Sequence, residues 1–117
     1  MEIISRDEVK SYIDTKGNYT LIDVREKEEL HYGMIPTAHN VPLHELEHAF
    51  ELVPEDFQNK YGFVKPKKEE VVIFYCRTGG RSAMATAFAK KQGYVHAKNY
   101  AGSIYDWATI DPKVRRY

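Results

Sequence analysis

The feature that most constrains the fold is a three-part run in the second half of the chain. Val71-Val72-Ile73-Phe74-Tyr75 is continuously apolar, β-branched and aromatic. Such a run without alternation predicts a strand buried on both faces. Cys76-Arg77-Thr78-Gly79-Gly80-Arg81-Ser82 follows, a turn with two glycines. Ala83 to Gln92 then reads as a helix, alanine-rich, with Lys90 and Lys91 in its last turn and Gly93 where the chain leaves. The only cysteine of the chain is therefore expected at the tip of a strand, on a turn that opens a helix. Amides converging in the turn, the helix N-terminus, Arg77 and Arg81 would all favour a thiolate and a nearby anion. A merely packed cysteine would have an apolar setting without arginines.

Elsewhere strand and helix signals alternate. Glu2-Ile3-Ile4 is a short edge strand. Ser5 with Glu8 three residues on forms a capping box for a helix to about Asp14. Tyr19–Val24 is a strand, Glu26–Tyr32 a short helix ended by Gly33, and His39–Val41 a short strand. Leu43–Val53 and Pro54–Tyr61 are helices, the second with proline at its start and Gly62 at its end. Val64–Glu70 is a charged connector. Ala97–Tyr100 is a last strand and Ser103 to about Thr109 a last helix. The pattern predicts an α/β fold with a mostly parallel central sheet and helices on both faces. Ligands of such sheets bind beyond the carboxyl ends of the strands, where Cys76 falls. At 117 residues the chain is expected to be one domain, residues 1–117.

Charge narrows the function classes. Lys plus Arg and Asp plus Glu number 17 each, so no basic field points to nucleic acid. One cysteine allows no internal disulfide and suits a reducing compartment. No apolar run is long enough to span a membrane, and Met1–Glu8 resembles no targeting segment, so a cytoplasmic location is expected. Asp23 and Arg25, at the end of the second strand, read as an ion pair tying rim loops together rather than a substrate contact. Trp107 reads as a core anchor. His44-Glu45-Leu46-Glu47-His48 satisfies the zinc-protease pattern literally. However, Leu43, Leu46, Phe50 and Val53 share one helix face, and His44 and His48 lie nearly opposite, toward solvent. No metal and no cofactor is therefore expected.

Three separated motifs carry a family resemblance. The Cys-x4-Arg loop between strand and helix resembles the active-site loop of the rhodanese family of sulfurtransferases. Asp23-Val24-Arg25 followed by Gly33-Met34-Ile35-Pro36-Thr37-Ala38-His39-Asn40 resembles its upstream signature, and Asn99-Tyr100-Ala101-Gly102-Ser103-Ile104-Tyr105-Asp106-Trp107 its closing segment. Phe57 to Lys68 is similar to the thiosulfate–glutathione subgroup. Met34, Thr37 and Ala101 stand where the family often has His, Gly and Gly. The resemblance implies a single rhodanese-like domain that moves sulfur from thiosulfate, through a persulfide on Cys76, to cyanide or to a thiol such as glutathione or a thioredoxin cysteine. Arg77, Thr78, Gly79, Gly80, Arg81 and Ser82 would bind substrate and cradle the outer sulfur. A phosphatase or arsenate reductase would have Cys-x5-Arg, one residue longer, to wrap a tetrahedral oxyanion. A sulfur-relay or binding module remains a third reading, with a zinc metalloprotease the remotest.

Overall fold

The computed structural model describes residues 2–117. Four parallel strands form one sheet in the order β2-β1-β3-β4: β1 Thr20–Asp23, β2 His39–Asn40, β3 Val72–Tyr75 and β4 Ala97–Asn99. The β1–β3 register pairs Thr20 with Val72 and Asp23 with Tyr75, so these two strands end at one level. The expected edge strand at Glu2–Ile4 is reduced to a parallel bridge between Ile3 and Asn99. Its Glu2 carbonyl and Ile4 amide still cover the outer edge of β4.

Side-chain alternation in the central strands builds two cores. Ile22, Val24, Val72, Phe74 and Cys76 face one side, against α2 (Leu46–Glu51), α3 (Pro54–Tyr61) and α4 (Gly80–Lys91). Leu21, Ile73 and Tyr75 face the other, against α1 (Arg6–Asp14) and α5 (Ser103–Trp107). All four residues of β3 are buried, as a strand covered on both faces requires. Trp107 anchors the second core, with its Nε1 donating to Asp111 Oδ2 at 3.0 Å.

The capping box of α1 is present, with Ser5 Oγ accepting from the Glu8 amide and Glu8 Oε1 accepting from the Ser5 amide. The helix expected over Leu43–Val53 is shorter and broken. Leu43–Glu45 is a 3-10 turn, pulled onto β1 by a bond from the Leu43 amide to the Val24 carbonyl. α2 then stops at Glu51. Val53 precedes Pro54, which disfavours helical backbone, and it sits extended and 59% exposed instead of on the buried face. Residues Lys27–Tyr32 are likewise a 3-10 helix. Thr37 takes φ +76, a left-handed conformation costly for a β-branched residue, at a position where the resembled family often has glycine. Its Oγ1 is hydrogen-bonded to the Tyr19 hydroxyl.

Among the described residues no helix is long and apolar enough to cross a membrane.

Candidate active site

The site lies where β3 ends. Cys76 is 1% exposed, and its Sγ accepts hydrogen bonds from the amides of Gly79 at 3.1 Å and Ser82 at 3.4 Å. Ser82 Oγ lies 3.5 Å from the sulfur and 3.1 Å from the Gly79 carbonyl oxygen. Its single proton can turn to the sulfur once the sulfur is charged, because hydrogen bonds to ions are the stronger ones. Burial pushes the Cys76 thiol up, but the bonds from Ser82 Oγ and the amides of Ser82, Gly79 and Thr78 outweigh it and hold the thiol below its ordinary value. The cradle thus comes from the loop and the first turn of α4, which opens at Gly80 rather than Ala83.

The two arginines have different partners. Arg81 turns away to Glu29 in a two-pronged pair, Nη1–Oε2 2.7 Å and Nη2–Oε1 2.9 Å. Arg81 and a hydrogen bond from the Glu26 amide hold the Glu29 carboxyl down to about 2 against the upward push of burial, so Arg81 stays paired across the range in which a thiolate exists. Among the described residues Arg77 has no carboxylate partner. Its guanidinium sits 4.4 Å from the Tyr117 ring centroid and 5.4 Å from that of Tyr105, and Nη2 donates to the Tyr105 hydroxyl at 3.2 Å. Neither arginine donates to the sulfur; the thiolate is favoured by amides and a hydroxyl.

The loop's shape depends on Gly79, at φ +102. A Cβ there would run into the Ala101 carbonyl oxygen. Gly79→Ala is expected to combine left-handed strain of roughly 1–2 kcal/mol with displacement of an amide donor. Loss of one such donor is worth about 100-fold or more in turnover. Sulfur transfer measured beside the iodoacetamide alkylation profile would check this, with an undiminished kcat contradicting it.

Ser103, which sequence reasoning passed over, completes the loop's support. It is fully buried at φ +53. Its Oγ accepts from the Cys76 amide at 3.1 Å, donates to the Tyr100 carbonyl at 2.9 Å, and lies 4.0 Å from the sulfur. The Ile104 and Tyr105 amides bond to the carbonyls of Cys76 and Arg77. The closing motif therefore clamps the cysteine loop from behind. Its place directly after Gly102 was the available signal.

Asp23 and Arg25 form the expected pair, both fully buried. Arg25 Nη2 meets Asp23 Oδ2 at 2.7 Å and the Gly33 carbonyl at 2.7 Å, while Nη1 reaches the Tyr117 hydroxyl at 3.1 Å. Burial works against the Arg25 charge and Asp23 outweighs it, raising Arg25 further. His44 falls in the 3-10 turn and His48 in α2, so the two do not share one helix. The His44 side chain is 65% exposed, with Nδ1 3.1 Å from Glu26, and Glu45 accepts from the Tyr61 hydroxyl.

The thiol's environment predicts an alkylation midpoint for Cys76 below the free-thiol value of about 8.5. Rates of iodoacetamide reaction against pH measure it; a midpoint at or above the free value would remove the activation argument.

Comparisons with known proteins agree with the geometry. Residues 5–110 match the rhodanese-like domain model. A human thiosulfate:glutathione sulfurtransferase is 42% identical over 105 residues, covering 89% of this chain and 90% of the relative. A rhodanese domain-containing protein of Drosophila melanogaster is 49% identical over 89 residues, 75% of this chain and 80% of its own length. The solved structure of a human single-domain sulfurtransferase superposes with a TM-score of 0.90 at 38% identity, covering 95% of this chain and 98% of that one. A thiol ringed by amides at the end of a parallel strand, three motifs in order, and these matches over most of the chain have one common source: the chain belongs to the rhodanese family.

Proposed function

We propose that the protein is a thiosulfate sulfurtransferase that works by two-step covalent catalysis on Cys76. The observation that carries this reading is the sulfur itself, buried yet held below its ordinary pKa by the amides and hydroxyl around it. The Cys76 thiolate attacks the outer sulfur of thiosulfate. A new S–S bond forms, the old one breaks, and its electron pair leaves on sulfite. Cys76 then carries a persulfide whose terminal sulfur takes the negative charge. Amides of the loop 77–82 are positioned to accept that charge, the role an oxyanion hole plays in acyl transfer. The acceptor attacks the terminal sulfur and returns Cys76 to the thiolate: cyanide leaves as thiocyanate, a thiol such as glutathione as its own persulfide. A protein thiol of the thioredoxin type is an acceptor by the same chemistry. No cofactor enters the scheme.

Two alternatives fit less well. A phosphate-ester chemistry needs a ring wide enough for a tetrahedral oxyanion, and here two amides already close on one sulfur at 3.1 and 3.4 Å. A pure binding module has no use for a depressed thiol. A lone nucleophilic cysteine must also stay reduced, which suits a reducing compartment such as the cytoplasm.

The division of the arginines follows from their partners. Arg81 is committed to Glu29 and fixes the loop to the 3-10 helix. Arg77 keeps its full charge and captures the dianionic donor. Arg77→Ala is expected to raise the KM for thiosulfate about 5-fold, equivalent to ~1 kcal/mol, with kcat little changed. Added salt should shrink that difference, since the attraction of a half-buried charge for an incoming anion is still partly screened.

The overall scheme is tested by initial rates over both substrates. Parallel double-reciprocal lines are the mark of a covalent intermediate released before the second substrate reacts. Intersecting lines would require both substrates on the enzyme together and would contradict the scheme.

A further inference from the structure

We propose that Tyr117 is a positioning residue of the active site, whose ring holds the Arg77 guanidinium in place to receive the anionic donor. The proposal rests on the role just given to Arg77.

Arg77 is short of partners. Its Nε is buried with no hydrogen-bond acceptor, and its one side-chain hydrogen bond goes to a neutral hydroxyl, that of Tyr105. What fixes the guanidinium is aromatic surface, with Tyr117 at 4.4 Å closer than Tyr105 at 5.4 Å. This choice has a chemical consequence. A carboxylate in the place of Tyr117 would hold Arg77 more tightly but cancel the charge that a dianion needs, as Glu29 does for Arg81. A ring face orients a guanidinium and leaves its net charge intact.

Tyr117 is itself well anchored. Its ring stacks on Tyr32, 4.1 Å between centroids and 7° between planes. Its hydroxyl accepts from Arg25 Nη1 at 3.1 Å and donates to Glu29 Oε1 at 2.8 Å, the carboxylate that pairs with Arg81. Its backbone oxygen accepts from the Tyr105 hydroxyl at 2.7 Å, tying together the two rings that flank Arg77. The preceding residues are fixed too. Val114 is buried in the second core, the Arg115 amide bonds to the Tyr32 carbonyl, and Gly33 packs so closely on Val114 that a side chain there would collide. One aromatic side chain thus meets Arg25 and Arg77 directly and reaches Arg81 through Glu29, and of the three only Arg77 has no carboxylate among the described residues.

A double-mutant cycle tests the claim: wild type, Tyr117→Ala, Arg77→Ala and the double variant, with thiosulfate varied and cyanide saturating. Tyr117→Ala is expected to raise the thiosulfate KM about 3-fold or more and to leave kcat within about 2-fold. In the Arg77→Ala background the same change should add nothing. Tyr117→Phe keeps the ring and should restore most of the lost KM, and the alkylation midpoint of Cys76 should not move in any of these variants, because amides hold the sulfur. Should Tyr117→Ala fail to fold by thermal melting, Tyr117→Leu fills the space without an aromatic face and carries the same expectation. If Arg77→Ala raises KM but neither Tyr117 variant does, or if the two effects simply add, Tyr117 does not act through Arg77. If Arg77→Ala leaves KM unchanged, donor capture by Arg77 falls, and this proposal with it, while covalent catalysis at Cys76 stands.

Discussion

Replacing Cys76 by serine is expected to lower thiocyanate formation from thiosulfate and cyanide by roughly 1,000-fold or more, to the level of the uncatalysed reaction. A serine hydroxyl is far less acidic than a thiol and cannot hold a sulfane sulfur, so the first step has no nucleophile and the second no carrier. The fold should survive. Cys76 packs in the first core behind Phe74, and a hydroxyl can accept from the Gly79 and Ser82 amides much as the sulfur does. The melting temperature should therefore move by only a few degrees, consistent with about 1 kcal/mol or less. Substantial residual turnover in a folded Cys76→Ser protein would place the chemistry on another residue.

The second large effect concerns stability. Arg25→Ala leaves the Asp23 carboxylate fully buried without its guanidinium, and strips a donor from the Gly33 carbonyl. Breaking one partner out of a buried pair costs about 3–5 kcal/mol. That is a large fraction of the 5–15 kcal/mol that holds a domain together. The expected result is a fall in melting temperature of roughly 10 °C or more. The double variant Arg25→Met with Asp23→Asn removes the orphaned charge and should recover part of the loss. Equal stability of Arg25→Ala and the wild type would mean that water reaches Asp23.

Much of this was legible in the sequence because it is local. The capping box at Ser5 and Glu8, the proline start and glycine end of α3, and the apolar run of β3 each depend on residues within a few positions, and each formed as read. The position of Cys76 on the rim followed from the alternation of strand and helix. One reading failed for a reason that is also local. Leu43–Val53 was taken as one helix on apolar spacing alone, while Pro54 dictates that Val53 be extended. The arginines were read as favouring the thiolate and a nearby anion; what the sequence did not show is that Arg81 pairs with Glu29, 52 positions away. The residues passed over are those joined by the fold alone: Ser103 to Cys76 across 27 positions and Tyr117 to Glu29 across 88. The closing motif marks the place of Ser103 but not its partner; both contacts depend on how α5 and the segment after it pack against the sheet.

The central claim is that Cys76 carries the sulfur, and the most direct measurement is intact-protein and peptide mass spectrometry after brief treatment with thiosulfate and removal of excess reagent. The account predicts a gain of one sulfur atom per chain, localised to Cys76, removed by cyanide and absent from Cys76→Ser. A protein that turns over thiosulfate with no sulfur on Cys76, or with the added sulfur unmoved by cyanide, would contradict it.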